Sequence, residues 1–344
     1  MVDFKNKILL ITGGTGSVGQ ELITYLLENH FPKIIRILSR DETKQFYLAK
    51  KFDIFRDKLR FFIGDIRDKE RLNRAIKDVD IVFHLAALKH VGACEYNPFE
   101  AIKTNVLGLQ NLIEVSIENN IEKFIFSSTD KAATPCNTMG VTKLLGEKLV
   151  TAANYYKGKA KTIFYTIRFG NILGSRGSLI PLIEDLIKNN KTITLTHSEM
   201  TRYIMAIDMA IDLMLRTIEI AQGGEVFVFK MQSIKIIDLI EVLIEIFAEK
   251  YNKMADKIQI KEIGMFVGEK LYEELFSIEE SERTYELDDL YLIYPQLTEV
   301  SNTINLEVYP NIKKFDVTKP FNSKDGPFLT KDEIKDFLLR LDII

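Results

Sequence analysis

The chain has 344 residues, 46% of them hydrophobic and 28% charged, which suits about two globular domains with a sizeable core. Its formal net charge is −3, from 46 basic and 49 acidic side chains with no basic block, which argues against nucleic acid as a partner. Two cysteines, Cys94 and Cys136, no secretory leader pattern and no apolar run of about 18 residues argue for a reducing, cytoplasmic setting, without a disulfide framework or a membrane span.

From Lys7 onward, apolar strand-like runs alternate with helical patterns. Residues 8–11 are apolar and stop at Thr12-Gly13-Gly14, the pattern of a buried parallel strand. Leu22, Ile23, Leu26 and Leu27 then recur at helical spacing. Residues 34–38, 60–63, 81–85, 124–126 and 162–167 read as five more strands, and 98–119 and 139–156 as long helices. The alternation predicts an α/β fold with a doubly wound parallel sheet of the Rossmann kind. Past Arg168 the rhythm loosens. Residues 175–178 read as a loop, 179–188, 208–219 and 236–247 as helices, and 226–229 as a short strand. No Gly-, Pro- or Ser-rich linker separates the halves, so a smaller α/β substrate-binding domain should pack directly on the first, with chain passing between them more than once. The expected division is 1–170 with 205–232 for the nucleotide-binding domain, and 171–204 with 233–344 for the smaller one. The four histidines, His30, His84, His90 and His197, lack metal-ligand spacing, so no metal is expected.

The segment Thr12-Gly13-Gly14-Thr15-Gly16-Ser17-Val18-Gly19 follows the first strand and opens a helix, the context that gives a glycine-rich run its meaning. Gly13 permits the tight turn, Gly16 lets backbone approach a pyrophosphate, and Gly19 lets helix and strand pack closely. Phosphate would rest on the unpaired N–H groups of the helix start. After the second strand stands Ser39-Arg40-Asp41-Glu42-Thr43-Lys44. Ser39, Arg40 and Lys44 can gather around a ribose 2′-phosphate, so NADP is expected in preference to NAD, although Asp41 could face the ribose instead. Asp65 closes the third strand and is a candidate for the adenine amino group or for a helix cap.

Several further segments then carry a resemblance. They are Leu85-Ala86-Ala87-Leu88-Lys89-His90-Val91, Glu95-Tyr96-Asn97-Pro98, Lys103-Thr104-Asn105 and Ser127-Ser128-Thr129-Asp130-Lys131-Ala132. Beyond them come Arg168-Phe169-Gly170-Asn171, Ser175-Arg176-Gly177-Ser178, Met200-Thr201-Arg202-Tyr203 and Gly268-Glu269-Lys270-Leu271-Tyr272-Glu273-Glu274. The chain resembles the extended short-chain dehydrogenase/reductases, and within them the UDP-N-acetylglucosamine 4,6-dehydratases. Met139 and the Tyr285-Glu286 to Tyr294-Pro295 stretch are most similar to the capsule-type branch that inverts C5.

The resemblance implies a redox-neutral reaction. Hydride leaves C4 of the sugar for NADP, the C5 proton is removed, water leaves from C6, and hydride returns to C6. Reprotonation of C5 on the opposite face gives the inverted product. In related enzymes a Tyr four residues before the Lys takes the substrate's hydroxyl proton. Here that position is Met139, whose thioether carries no exchangeable proton. The other Tyr-x-x-x-Lys pairs, Tyr47–Lys51, Tyr155–Lys159 and Tyr309–Lys313, do not follow the fifth strand at a workable distance.

The expected catalytic set is therefore Asp130 as acid for the C6 hydroxyl, Lys131 as base at C5, Thr129 on the C4 oxygen and Lys143 on the nicotinamide ribose. Proximity to Lys143 and to a cationic nicotinamide should lower the Lys131 pKa. Ile66, Ala86, Ala87, Lys89 and Asn105 join the cofactor set, with Lys89 and Asn105 also toward the sugar. Asn171, Ser178, Arg202 and Glu269 are candidates for the nucleotide, with Arg202 on phosphate. His84 and His90 read as core or loop residues. A homo-oligomer, dimer or hexamer, is expected through the two long helices. The alternatives are a C5-retaining dehydratase, a nucleotide-sugar epimerase or reductase, and an NADP-binding protein without catalysis.

Overall fold

A computed structural model describes residues 3–175, 177–319 and 321–341. The strands in chain order are β1 (Ile8–Thr12), β2 (Ile34–Ser39), β3 (Leu59–Ile63), β4 (Ile81–His84), β5 (Lys123–Thr129), β6 (Ile163–Phe169), β7 (Asn171–Ile172) and β8 (Ile193–Leu195). They continue as β9 (Thr201–Met205), β10 (Val226–Phe229), β11 (Gln232–Lys235), β12 (Ile260–Glu262), β13 (Thr284–Glu286), β14 (Leu290–Ile293) and β15 (Lys313–Lys314). The large sheet runs β15-β13-β14-β10-β6-β5-β4-β1-β2-β3. Its β3 to β10 portion is parallel throughout, as the alternating pattern predicts.

Both faces of this sheet are covered, which is why its strands are almost continuously apolar. Leu9, Ile11, Ile37 and Phe83 pack on one side with Leu22, Ile23, Leu26 and Leu27 of the helix Ser17–Asn29. Leu10, Val82, Phe124 and Phe126 pack on the other with Leu109, Leu112 and Ile113 of the helix Gly108–Glu118. Strand order reverses between β1 and β4, so a crevice opens at their carboxyl ends, where doubly wound sheets hold ligands.

The smaller domain has a three-stranded sheet, β11-β9-β7, and the parallel pair β12-β8. Its core joins Ile180, Ile183 and Ile187 of the helix Leu179–Lys188 to Leu239, Leu243 and Phe247 of Ile236–Lys250 and to Ile334 and Leu338 of Lys331–Arg340. Arg176, in the expected 175–178 loop, lies outside the described residues.

Two expectations need correction. Residues 233–344 do not all go to the smaller domain, because β13, β14 and β15 add an antiparallel edge to the large sheet through β10. Nor is 98–119 one regular helix. A π-helical stretch, Ile102–Leu107, separates Pro98–Ala101 from Gly108–Glu118 and brings Thr104, Asn105 and Val106 into the interior. No helix among the described residues is long and apolar enough to cross a membrane.

Candidate active site

β1 delivers the chain into a turn that only glycine fits. Gly13 has φ +71°, and a Cβ there would lie 2.8 Å from the Ala86 nitrogen. A Cβ on Gly19 would lie 2.5 Å from Gly14 Cα, so helix and strand touch backbone to backbone. Gly16 precedes the helix Ser17–Asn29, whose N-terminus has no side-chain cap. Its first N–H groups are thus aimed into the crevice, and the cradle fits a dinucleotide pyrophosphate. Thr15 and Ser17 flank it, and Val18 turns into the core. Ala86 and Ala87 follow β4 across the crevice, with the Ala86 N–H donating to Thr12 Oγ1 at 3.3 Å.

At the ribose end, Asp41 caps the helix Glu42–Lys51 by accepting from the Lys44 N–H at 2.9 Å. It also pairs with Lys44 Nζ at 2.9 Å, so its carboxylate is committed to the protein and draws Lys44 toward itself. Ser39 Oγ accepts from Gln45 Nε2 at 2.9 Å. Arg40 remains over half exposed, 3.9 Å from Asp65. Asp65 is not a helix cap: Asp68 caps Lys69–Ile76, while Asp65 binds the Arg67 guanidinium at 2.7 Å. Ile66 is buried against Gly108. Lys89 is exposed beyond β4. Asn105 is not available to a ligand in the way expected. Its Oδ1 accepts from the Leu88 N–H, and its Nδ2 donates to the Leu88 carbonyl and to Thr142 Oγ1, all between 2.8 and 3.0 Å. Through those bonds it holds the loop after β4 on the helix Thr138–Tyr156.

The chemistry-bearing end is built where β5 stops. A short turn, Asp130–Ala132, follows Thr129, whose hydroxyl donates to Asp130 Oδ1 at 2.9 Å. Lys131 Nζ donates to Asp130 Oδ1 at 3.0 Å and to Asn171 Oδ1 at 3.1 Å, and lies 3.4 Å from Glu273 Oε1. The start of the helix Thr138–Tyr156 presses on this turn. A Cβ at Gly140 would lie 2.3 Å from the Lys131 carbonyl oxygen, so only glycine permits the contact. Met139 points into an apolar cluster with Cys94 and Ala101. Packing accounts for it.

The expected lowering of the Lys131 pKa is corrected. Burial does disfavour its charge, but Asp130 and then Glu273 more than offset that and hold the ammonium above its usual range. Lys143 is the lysine that moves down, to about 8, because it is buried with only Glu147 acting the other way. Its Nζ donates to the Ser127 carbonyl at 2.7 Å and sits over the Phe126 ring. His84 is a core residue, hydrogen-bonded to Thr12 Oγ1 at 2.7 Å and pushed down to about 3 by burial.

The substrate candidates separate. Asn171, expected at the nucleotide, is placed on Lys131 instead. Arg202 is mostly buried, and its guanidinium donates to the Thr201 and Lys270 carbonyls at 2.7 and 2.8 Å. It lies 3.9 Å from Glu269 and 3.8 Å from Glu273. Glu269 Oε1 accepts from Thr196 Oγ1 at 3.3 Å. Ser178 precedes the helix Leu179–Lys188, and its buried hydroxyl has no partner among the described residues.

Two features escape sequence reasoning. Glu273 sits inside the Gly268-Glu269-Lys270-Leu271-Tyr272-Glu273-Glu274 segment, but nothing in spacing shows that it meets Lys131. The other is a fully buried ion cluster. Arg168 binds both oxygens of Glu147 (2.9 and 2.7 Å) and of Glu280 (2.8 and 2.9 Å), as well as the Leu275 carbonyl (3.0 Å). Ser128, on β5 just before Thr129, donates to the same Glu147. The cluster ties β5, β6, the helix Thr138–Tyr156 and the segment leading into β13 together, directly behind Asp130 and Lys131.

The sequence profile described as polysaccharide biosynthesis protein matches residues 9–295. A Methanocaldococcus jannaschii protein named only as an uncharacterized membrane protein is 50% identical over 341 residues, covering 99% of this chain and 98% of its own. A Campylobacter jejuni UDP-N-acetylglucosamine 4,6-dehydratase (inverting) is 44% identical over 295 residues, covering 86% and 84%. A Rickettsia bellii UDP-glucose 4-epimerase is 40% identical over 346 residues, covering 99% and 98%. The X-ray structure of Pen from Bacillus thuringiensis superposes with a TM-score of 0.92 at 40% identity, covering 100% of both chains. With the doubly wound sheet, the glycine cradle and a profile match over most of its length, the chain belongs to the polysaccharide biosynthesis protein family.

Proposed function

We propose that the protein is an NADP-dependent dehydratase of UDP-N-acetylglucosamine that removes water across C5 and C6 and inverts C5. The carrying observation is the Asp130–Lys131 pair. An acid and a base lie 3.0 Å apart at the carboxyl end of β5, with no phenol at position 139. The inverting C. jejuni dehydratase, related over most of its length, supports the same reading.

The glycine cradle would hold the pyrophosphate, Lys143 the nicotinamide ribose, and Ser39, Arg40 and Lys44 the 2′-phosphate. Bound NADP supplies a hydride acceptor at C4 and a hydride donor at C6. The chain's own residues then manage protons. Thr129 orients the C4 oxygen, and as the hydride leaves C4 the hydroxyl proton passes to neutral Lys131 and on to Asp130, which then carries it for the C6 oxygen. With C4 at the ketone level, the C5 proton is acidified and Lys131 removes it. Asp130 protonates the departing C6 hydroxyl, and its buried, unpartnered Oδ2 is the oxygen left free to do so. Arg202, Glu269 and Ser178 would border the nucleotide. Exposed Leu107, Val141 and Leu145 on the two long helical segments support a homo-oligomer.

The test is product NMR after turnover of UDP-N-acetylglucosamine in deuterated water. One deuteron at C5, a methyl at C6, inverted C5 and no consumption of added NADPH are expected. The R. bellii epimerase favours a second reading, in which C4 inverts and the C6 hydroxyl stays; that product would overturn the dehydratase. Met139→Tyr should still dehydrate, at lower stability, because overfilling a packed cluster costs about 1–3 kcal/mol. A folded variant without turnover would show that the thioether does more than fill space.

A further inference from the structure

Lys131 Nζ donates to Asp130 Oδ1 at 3.0 Å and to Asn171 Oδ1 at 3.1 Å, and forms an ion pair with Glu273 Oε1 at 3.4 Å. An ammonium held this way has no lone pair with which to take a proton from carbon. One proton must leave before Lys131 can act as the base. The Asn171 amide is not basic enough to receive it. Asp130 Oδ1 already accepts from Thr129 as well as from Lys131, and its acid role reserves Asp130 for the proton that goes to the C6 oxygen.

Glu273 differs from both. Its side chain is 2% exposed, Oε1 lies 3.4 Å from Lys131 and 3.8 Å from Arg202, and Oε2 is buried with no partner among the described residues. Burial pushes its carboxyl up, with Lys131 and Arg202 acting against that shift and Asp130 adding to it. Its backbone is clamped. The Glu273 N–H donates to Ser323 Oγ at 2.9 Å, the Ser323 N–H donates back to the Glu273 carbonyl at 2.8 Å, and Ser323 Oγ lies 2.8 Å from Thr201 Oγ1 on β9. The carboxylate is therefore fixed between β9 and the end of β5.

We propose that Glu273 is a positioning residue that acts through Lys131, receiving an ammonium proton from it when substrate binds; this rests on the dehydratase reading above. The Nζ–H bond breaks, its electron pair stays on nitrogen, and an O–H bond forms on Glu273. An ion pair becomes an amine and a carboxylic acid, with no change in net charge. In water the transfer is uphill by about six pK units. Burial alone is known to bring Glu to about 8–9 and Lys to about 5–6, enough to reverse that order once water is excluded. The charged groups facing the pair are Asp130 beside Lys131, Arg202 from β9 and Lys270 on the segment that carries Glu273.

The experiment is a pH profile of kcat and KM for the full-length enzyme, Glu273→Gln and Glu273→Asp, each checked for a cooperative melt. The natural enzyme should be flat between about pH 6 and about pH 9, because the proton moves internally. Glu273→Gln should lose about 100-fold in kcat at neutral pH with KM little changed, then recover about tenfold per pH unit as solvent deprotonates Lys131 directly. Glu273→Asp should stay flat at a reduced rate. A Gln variant with the natural profile, or one reduced equally at every pH, overturns the proposal, as does an Asp variant that climbs like Gln. If the natural enzyme releases no water from UDP-N-acetylglucosamine, the dehydratase reading itself falls, and this role falls with it.

Discussion

Lys131→Ala should lower turnover by about 10²–10⁴-fold, the range that a positioned base contributes, while the protein still carries its cofactor. The two outcomes separate because the lysine and the glycine cradle share no contact. Lys131 touches Asp130, Asn171 and Glu273, whereas the cradle is built from Gly13, Gly16 and Gly19 at the end of β1. Cofactor retention is read by absorbance after desalting, and turnover by mass-spectrometric loss of water. Deuterium exchange at C5 should disappear together with dehydration, since both need the same proton removed. Near-normal turnover would move the base elsewhere, and Lys143, brought down to about 8, would be the first residue to test.

The fold was largely readable because buried parallel strands announce themselves as apolar runs between turn signals. Residues 226–229 match β10 end to end. β5 is instructive in the other direction. Apolar periodicity stops at Phe126, yet the strand continues through Ser127, Ser128 and Thr129, paired in register with Ile167, Arg168 and Phe169. Two of those side chains are satisfied by partners distant in sequence, Ser127 by the His84 carbonyl and Ser128 by Glu147, which no local pattern reveals. The antiparallel edge β13-β14-β15 was lost for a related reason, because a short strand's partner is chosen by tertiary packing. The Asp130–Lys131 pair was legible from its place after β5 and its spacing to Lys143. The direction of the Lys131 shift was not, because it depends on Glu273, which only the fold delivers.

Arg168→Met should cost about 3–5 kcal/mol, because it removes the cation that Glu147 and Glu280 share and leaves Glu280 with Arg283 alone, 3.4 Å away. The cost should also depend on pH in a defined sense. Glu280 is disfavoured by burial, yet Arg168 holds it down to about 2 from an ordinary 4.5. A group whose folded pKa is depressed contributes stability above its unfolded value and loses it as pH falls through the folded one. The natural protein should therefore lose this contribution on acidification from about 4.5 toward about 2. In the variant Glu280 keeps only Arg283, so its pKa rises from about 2 and acid relieves the variant. The gap between the two melting temperatures should narrow as the pH drops from neutral toward 5, the outcome opposite to that of a simple packing defect, whose gap would not track pH. Adding Glu147→Gln to Arg168→Met should recover part of the loss at neutral pH, because Glu147 is then no longer a buried charge without a partner while Glu280 keeps Arg283. Glu147 also receives the Ser128 hydroxyl two residues before Asp130, so even at temperatures where Arg168→Met stays folded, its turnover should fall with its cofactor still bound.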